Sequence, residues 1–318
     1  MPRRNFLVLV LLSLLPLHAA TSVETPFAGI THITRTETSP RNVSLHIVKI
    51  DLTTPGLRFK LTEPGGTLET VRQTTLAFLK QEQAQIAINV HFFLPFPSAE
   101  PDASLIGLAA SNGTVYSAFE TPVQSYAIVT NAPGLNIDGS NRASIVRMNS
   151  EYEDRLHILE DVMLWNAVSG SAQIVTGGAK TIPGYKDDEH PDGLLTPGGP
   201  ANYSNANSWY NLPNARTVIG LSEDNQALFL FTVDRAAGSL GMTLDEVATL
   251  LINEYGVYNA LNLDGGGSTT LAMENPKTRE SSIVNISSDN PAGRSVASNL
   301  AIFAMPVVDA AIDKGKRR

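Results

Sequence analysis

The residues with the most chemical promise are Asn262, Asp264 and Ser268, with Gly265, Gly266 and Gly267 between the last two. They stand in the stretch Ala260-Leu261-Asn262-Leu263-Asp264-Gly265-Gly266-Gly267-Ser268. In extended chain, successive side chains alternate faces. Leu261 and Leu263 then point into a core, and Ala260, Asn262 and Asp264 point the other way. Ala260 leaves room, while the two polar residues need partners or a ligand. Glycine takes backbone angles that other residues avoid and lets another molecule approach the main chain closely. A carboxylate at a strand end beside such an open loop is a place for chemistry. The plain alternative is a strand, a capping aspartate and a tight turn.

A second stretch repeats the pattern. In Ile86-Ala87-Ile88-Asn89-Val90-His91-Phe92-Phe93, one face carries Ile86, Ile88 and Val90, and the other Ala87, Asn89 and His91. Both stretches follow a predicted helix and end in an ionisable residue. The match suggests that the two strands lie near each other and line one pocket from the same side, although alternating strands are common. Asp234 ends a third strand, Ala227 to Asp234, much as Asp264 ends its own. The run Lys186-Asp187-Asp188-Glu189-His190 offers cation ligands. Metal sites need ligands converging from separate segments, so a solvated loop is the better reading. Glu151, Glu153, Asp154, Glu160 and Asp161 read as a solvated acidic face.

The elements that must position these residues follow from periodicity and breakers. Thr21 to Thr38 reads as irregular and polar. Strands are expected at Val43–Ile50 and Leu57–Leu61. Thr67 opens a helix to about Gln83, with Leu68, Val71, Thr75 and Leu79 on one side. Leu94 to Asp102 holds Pro95, Pro97 and Pro101 and forms a loop by the pocket mouth. Three short apolar runs lie between Leu105 and Val129 (LIGLAAS, TVYSAF, SYAIVT), with a hairpin turn at Asn112-Gly113. Asn131 to Val168 gives no clear pattern. A short strand at Gln173–Val175 precedes a long polar region, Ala179 to Asn214; a loop of that length is usually functional or mobile. Further strands are expected from Asn214 to Gly220, Thr269 to Met273, Ile283 to Ile286 and Val296 to Met305. Thr243-Leu244-Asp245-Glu246 is a capping box that opens a helix closed by Gly256. Many short strands and few helices predict an α+β single domain on a mixed, largely antiparallel sheet.

Composition narrows the partners. The chain has 318 residues, 31 Asp+Glu against 23 Lys+Arg, and no cysteine. The acidic balance argues against nucleic acid. Without cysteine there are no disulfides and no thiolate metal sites, which fits an exported bacterial protein. Arg3 and Arg4 precede an apolar run from Phe6 to Leu17, then His18-Ala19-Ala20. That is the layout of a signal peptide over residues 1–20, with an uncleaved anchor as the alternative. The run is short for a membrane span, and nothing later is long and apolar enough to form one. The expected layout is a domain over 21–306 and a disordered basic tail over 307–318, in a periplasmic or extracellular protein.

The C-terminal third resembles the phosphodiester glycosidase family. The matching residues are Arg216-Thr217 with Gly220, Thr232-Val233-Asp234, Gly241-Met242-Thr243-Leu244 and, above all, Ala260 to Ser268. Asn89 with Phe92-Phe93 resembles the family's Asn-Gly-x-Phe-Phe segment, and Arg294 to Asn299 its Arg-Pro-Val-Ala-Asn. Three positions depart: Val90 replaces a glycine, Arg235 directly follows Asp234 where a glycine is usual, and Ser298 takes the asparagine position. Asn299, one place along, then faces the other way.

The resemblance implies hydrolysis of a sugar-1-phosphodiester on a glycan, releasing a sugar and leaving a phosphomonoester. In that reading Asp264 is the base or nucleophile, and Asp234 a candidate second carboxylate. Arg216 and Arg294 hold the phosphate, because an anionic leaving group needs charge neutralisation more than a strong acid. His91 donates a proton or a hydrogen bond, although the family motif does not require histidine there. Asn89 and Asn262 orient sugar or phosphate, and Gly265, Gly266, Gly267 and Ser268 add anion contacts. Two other readings stay open. One is a metal-dependent phosphodiesterase, with Asp234, Asp264 and His91 on a divalent cation. The other is a glycan-binding protein without catalysis.

Overall fold

Strand Val43–Asp51 sets the architecture. Leu45 and Ile47 point to one side, Val48 and Ile50 to the other, and all four are fully buried. A strand buried on both faces needs a layer on each side. The computed structural model describes residues 20–119 and 123–307. In it this strand lies inside an eight-stranded sheet. The order across that sheet is Ala20–Phe27, Ile30–Glu37, Val43–Asp51, Ala227–Val233, Arg216–Leu221, Asn259–Asn262, Ala172–Thr176 and Ala179–Lys180.

One face of the large sheet packs on a core shared with two five-stranded sheets. The first of these runs Ser281–Ile283, Leu271–Glu274, Ile86–Asn89, Asn299–Phe303, Arg58–Leu61. The second runs Thr114–Ser117, Ala109–Ser111, Asn166–Ser169, Gly134–Ile137, Ala143–Val146. The other face of the large sheet is covered by helix Leu244–Tyr255 and by the long segment that carries Tyr185, Leu195 and Tyr210. The ladders of the large sheet run antiparallel. So do those of the other two. An isolated bridge, Tyr185 with Leu195, is parallel. This is the α+β domain expected.

Helix Leu244–Tyr255 starts at the capping box: the Glu246 amide donates to the Thr243 hydroxyl at 3.2 Å, and the Thr243 amide to the Glu246 carboxylate at 2.8 Å. Gly256 ends it in the left-handed region. The earlier helix is shorter than its periodicity suggests. It spans Thr75–Glu82, capped by Thr74. Leu68 and Val71 are exposed, not on a buried stripe. The Thr67 amide and hydroxyl both donate to Asp102 at 2.7 Å, and Thr70–Val71 pair with Asp102–Ala103 as strand. These contacts compete with a helical start, and β-branched residues favour the extended alternative.

One other expectation changes. Thr21 to Thr38 reads as irregular, but Ala20–Phe27 and Ile30–Glu37 form two strands at the sheet edge; the edge strand is open to solvent through most of its length, so its polar sequence carries no alternation. The apolar run from Ser125 to Thr130 is turn, with the amides of Ala127 and Ile128 closing on the Gln124 carbonyl. The Asn112-Gly113 hairpin forms as expected, both residues at positive φ, with Ser111 opposite Thr114. The expected signal peptide and basic tail lie outside the described residues, except for Ala20 and Val307. Among the described residues no helix is long and apolar enough to cross a membrane.

Candidate active site

Strand Asn259–Asn262 lies between Arg216–Leu221 and Ala172–Thr176, with Asn262 in register with Val218 on one side and Ala172 on the other. Leu261 and Leu263 enter the core between the sheets, and Ala260 faces the helix side, as alternation requires. The chain then leaves the sheet. The Leu263 amide still donates to the Thr217 carbonyl at 2.8 Å, but the Asp264 amide turns to the Val90 carbonyl at 2.8 Å. The strands ending at Asn89 and Asn262 therefore belong to different sheets, and their ends meet at Asp264. Gly266 holds φ at +58, where a side chain is strained. Gly267 sits so close beneath the Arg294 guanidinium that a Cβ would collide with it.

Asp264 is deep in the site, yet part of its surface stays open. Burial pushes its carboxyl up to about 7, against the opposing pull of a Ser268 hydrogen bond, the Arg294 charge and the Gly265 amide. The Ser268 hydroxyl also accepts from Arg294 Nη1 at 3.2 Å. Arg294 Nε donates to Asp289 at 2.8 Å, and its guanidinium lies 4.6 Å from the Phe96 ring centroid. Asp289, Arg294, Ser268 and Asp264 thus form a continuous charged and hydrogen-bonded chain. The carboxylate at its end sits near neutrality, where one group can take up or release a proton.

The ladder register carries Arg216 to the same end of the sheet as Asp264. Arg216 is almost fully buried, and among the described residues no ion pair holds it. Carbonyls do: Nε donates to Met242 at 3.2 Å, and Nη2 to Trp209 at 3.2 Å and Leu212 at 2.6 Å. The Trp209 ring lies 4.7 Å away. Nη1 is buried with no partner. Burial pulls the guanidinium down to about 10. A buried cation with an unused donor suits an anion. Asn262 donates from Nδ2 to the Ser171 hydroxyl at 2.8 Å, and its Oδ1 is also buried and unpartnered.

Other expected site residues serve the scaffold. Both polar atoms of the Asn89 amide are engaged: Nδ2 donates to the Asp264 carbonyl at 2.7 Å, while Oδ1 accepts from the Thr217 hydroxyl and the Thr270 amide, each at 3.0 Å. It ties two sheets together behind Asp264. His91 is fully buried and held down to about 4 by that burial. Its Nδ1 lies 2.8 Å from the Ser298 hydroxyl, and Nε2 lies 3.0 Å from both the Leu108 carbonyl and the Ser169 amide. It has no free edge from which to serve a substrate. Ser298 is its partner, and Asn299 faces the first helix, accepting from Thr75 at 2.7 Å.

Asp234 is buried with both oxygens occupied, by Asn285 Nδ2 at 3.0 Å and the Ile286 amide at 3.1 Å. Burial raises it to about 6. It anchors the segment that leads to Asp289. The glycine loop supplies fewer anion contacts than expected, since the Gly265 amide serves Asp264 and the Gly266 amide donates to Ala215 at 2.9 Å. Asp234, Asp264 and His91 do not converge as a ligand set, and among the described residues no group of three His, Cys, Asp or Glu side chains could hold a metal ion. Asp187 is stitched to His190 and Asn205, each at 2.8 Å, which is the solvated-loop reading of that run.

The profile of the phosphodiester glycosidase family matches residues 83–303. The chain belongs to that family. It is 41% identical over 63 residues to mouse N-acetylglucosamine-1-phosphodiester alpha-N-acetylglucosaminidase, a stretch covering 20% of this chain and 12% of the mouse protein. The family fold extends further than sequence identity does. The auto-inhibited catalytic domain of the zebrafish enzyme of the same name superposes with a TM-score of 0.60 at 20% identity, over 90% of this chain and 88% of that one. A candidate exported protein of Burkholderia pseudomallei gives a TM-score of 0.59 at 14% identity, over 90% of this chain and 96% of its own. Sequence reasoning missed Asp289, Trp209 and the partners of Asn89. Trp209, one of two tryptophans in the chain, was the one with a compositional signal.

Proposed function

We propose that the protein hydrolyses the glycosidic bond of a sugar-1-phosphodiester, releasing the free sugar and a phosphomonoester. The observation that carries this reading is the Asp264 carboxyl, poised near neutrality and wired through Ser268 to Arg294. Ionised Asp264 acts at the sugar carbon, either as base for the attacking water or as nucleophile, the glycosyl ester then being hydrolysed by water to free the sugar and the carboxylate. The bond to the phosphate oxygen breaks, and its electron pair stays with the phosphate. Arg294 and the unused donor of Arg216 neutralise that charge as it grows. Asn89, His91 and Asp234 hold the frame. Family membership and the mouse and zebrafish relatives, both N-acetylglucosamine-1-phosphodiester alpha-N-acetylglucosaminidases, support the substrate class. Export belongs to the same reading, from the Arg3-Arg4 and Phe6–Leu17 leader pattern and the candidate exported relative.

The test is product analysis on alkyl diesters of several sugar-1-phosphates, N-acetylglucosamine among them. Free sugar and alkyl phosphate are expected, and Asp264→Asn should lower turnover by about a thousandfold or more with the fold retained. Sugar-1-phosphate with free alcohol would mean cleavage at phosphorus and overturn the reading.

A further inference from the structure

At the opposite end of its sheet from the Asn89 and Asp264 contact lies a cavity of about 530 Å3, within the roughly 300–1,000 Å3 usual for small-ligand sites. Strand Asn299–Phe303 measures the separation. Asn299 pairs with Asn89 behind Asp264, and Phe303 pairs with Arg58 at the cavity. The strand between them spans about 13 Å, so the cavity is a separate place. It opens along the seam where the edge strand Arg58–Leu61 meets the sheet that holds Asn166–Ser169. That seam is already closed by side chains. The Leu61 amide donates to Asn166 Oδ1 at 3.1 Å, Asn166 Nδ2 to the Phe59 carbonyl at 3.1 Å, and the Ser111 hydroxyl to the Leu61 carbonyl at 2.7 Å. The frame asks nothing more of the residues around the rim.

Those residues bring aromatic rings and an uncompensated charge. Trp165 and Phe303 line the cavity and are half-buried. Trp165 is held in place: its carbonyl accepts from the Gly113 amide at 3.0 Å, and a Cβ on Gly113 would lie 3.1 Å from the indole. Lys60 is neutralised between Glu63 at 3.2 Å and Glu82 at 2.9 Å. Asp138 accepts from the amides of Ser140 and Arg142 and from the Arg142 guanidinium. Among the described residues no carboxylate pairs with Arg58, which is exposed, with its guanidinium 4.6 Å from the Phe303 ring. Asn112 and Asn141 add amide groups at the rim. Aromatic rings take C–H faces, amides take hydroxyls, and a lone guanidinium takes an anion. A pyranose ring that carries an acidic group offers all three.

We propose that this cavity is a second carbohydrate site, apart from the one at Asp264, that it takes a sugar ring bearing an anionic group, and that Trp165 packs on the ring while Arg58 binds the anion. Such a site would hold an acidic glycan to the protein without acting on it. It does not depend on the reaction proposed for Asp264.

The two tryptophans of the chain separate the sites, because Trp165 lines this cavity and Trp209 lies against Arg216. Fluorine NMR of the full chain labelled with 5-fluorotryptophan gives a signal for each, assigned with Trp165→Phe. The probes are glucuronate, glucose and butyrate: ring with anion, ring alone and anion alone. Glucuronate should move the Trp165 signal to saturation, whatever the Trp209 signal does. Glucose should need about tenfold more ligand to do the same, and butyrate should leave the signal in place. Arg58→Gln should weaken glucuronate by about tenfold, with the ligand-free Trp209 signal as the check on its fold. Asp264→Asn should change nothing at Trp165. A Trp165 signal that glucuronate does not move would overturn the proposal, and so would movement of Trp209 alone. Glucose or butyrate acting as strongly as glucuronate would overturn it too, as would a wild-type affinity in Arg58→Gln.

Discussion

Ser268 is the small residue on which the site turns. Its hydroxyl faces Asp264 on one side and Arg294 on the other, so it passes the arginine's influence to the carboxylate. Hydrogen bonds to the ionised form lower a carboxyl's pKa. Ser268→Ala removes one and loosens the arginine, so the Asp264 pKa must rise. If ionised Asp264 is the active form, the limb of kcat/KM that climbs through about pH 7 in wild type moves to higher pH in Ser268→Ala. A pH–rate profile checks this, and an unmoved limb would assign that titration to another group. Asn89 and Asn262 illustrate what a residue pattern can and cannot disclose. Both were legible as polar residues on the strand face opposite the apolar core side chains. Which of them has spare capacity was not, because the partners of Asn89 are Thr217, Asp264 and Thr270, far along the chain. Only Asn262 keeps an unpartnered oxygen.

Elements with local rules were read well. The second helix announced itself by Thr243, Glu246 and Gly256, because a capping box and a left-handed stop depend on neighbours in sequence. The glycine loop was read for the same reason. The first helix is shorter than its periodicity because Asp102 and Ala103, which claim Thr67 and Thr70, come some thirty residues later. The long polar segment before Asn214, legible only as a loop that is functional or mobile, places its Trp209 against Arg216. The glycine loop invites a direct trial. Gly267→Ala brings a Cβ against the guanidinium of Arg294 and to 2.7 Å from the Asp289 Cβ. Arg294 can swing away and leave Ser268 behind, but the Asp289 Cβ is fixed to its backbone, so its segment must shift and some stability is lost as well. Turnover should fall by about tenfold or more, with the thermal midpoint lowered. Full activity in a folded Gly267→Ala protein would mean that Arg294 does not act from where it stands.

At the scale of the molecule, buried titrating groups pull stability in opposite directions. His32, His46 and His91 are held neutral by burial, His46 and His91 down to about 4. Unfolding returns them to their ordinary value of 6.5, so acidification from there toward pH 4 favours the unfolded chain. Asp264 and Asp234 oppose this. Their folded values, about 7 and about 6, lie above the ordinary 3.8, so over the same range the folded protein binds the extra protons. Stability should therefore fall only gently below pH 6.5. In Asp264→Asn one opposing group is gone, and the fall should be steeper. Urea titrations at several pH values would measure both slopes, and parallel slopes would contradict the raised Asp264 value. The class of fold was legible from many short strands. The order of the strands was not, because nothing in a sequence says that Val43–Asp51 lies beside Ala227–Val233.

That long-range interleaving also governs when the molecule can work. Strand Asn299–Phe303 is among the last in the chain, yet it lies inside its sheet, between Ile86–Asn89 and Arg58–Leu61. Arg294 and Ser298 come just before it. A growing chain that has already delivered Asp264 therefore has neither the arginine that tunes it nor the strand that locks Asn89 behind it. On the proposed reading, a fragment ending before Arg294 lacks the arginine and an interior strand of the sheet together, and should be unfinished rather than weakly active.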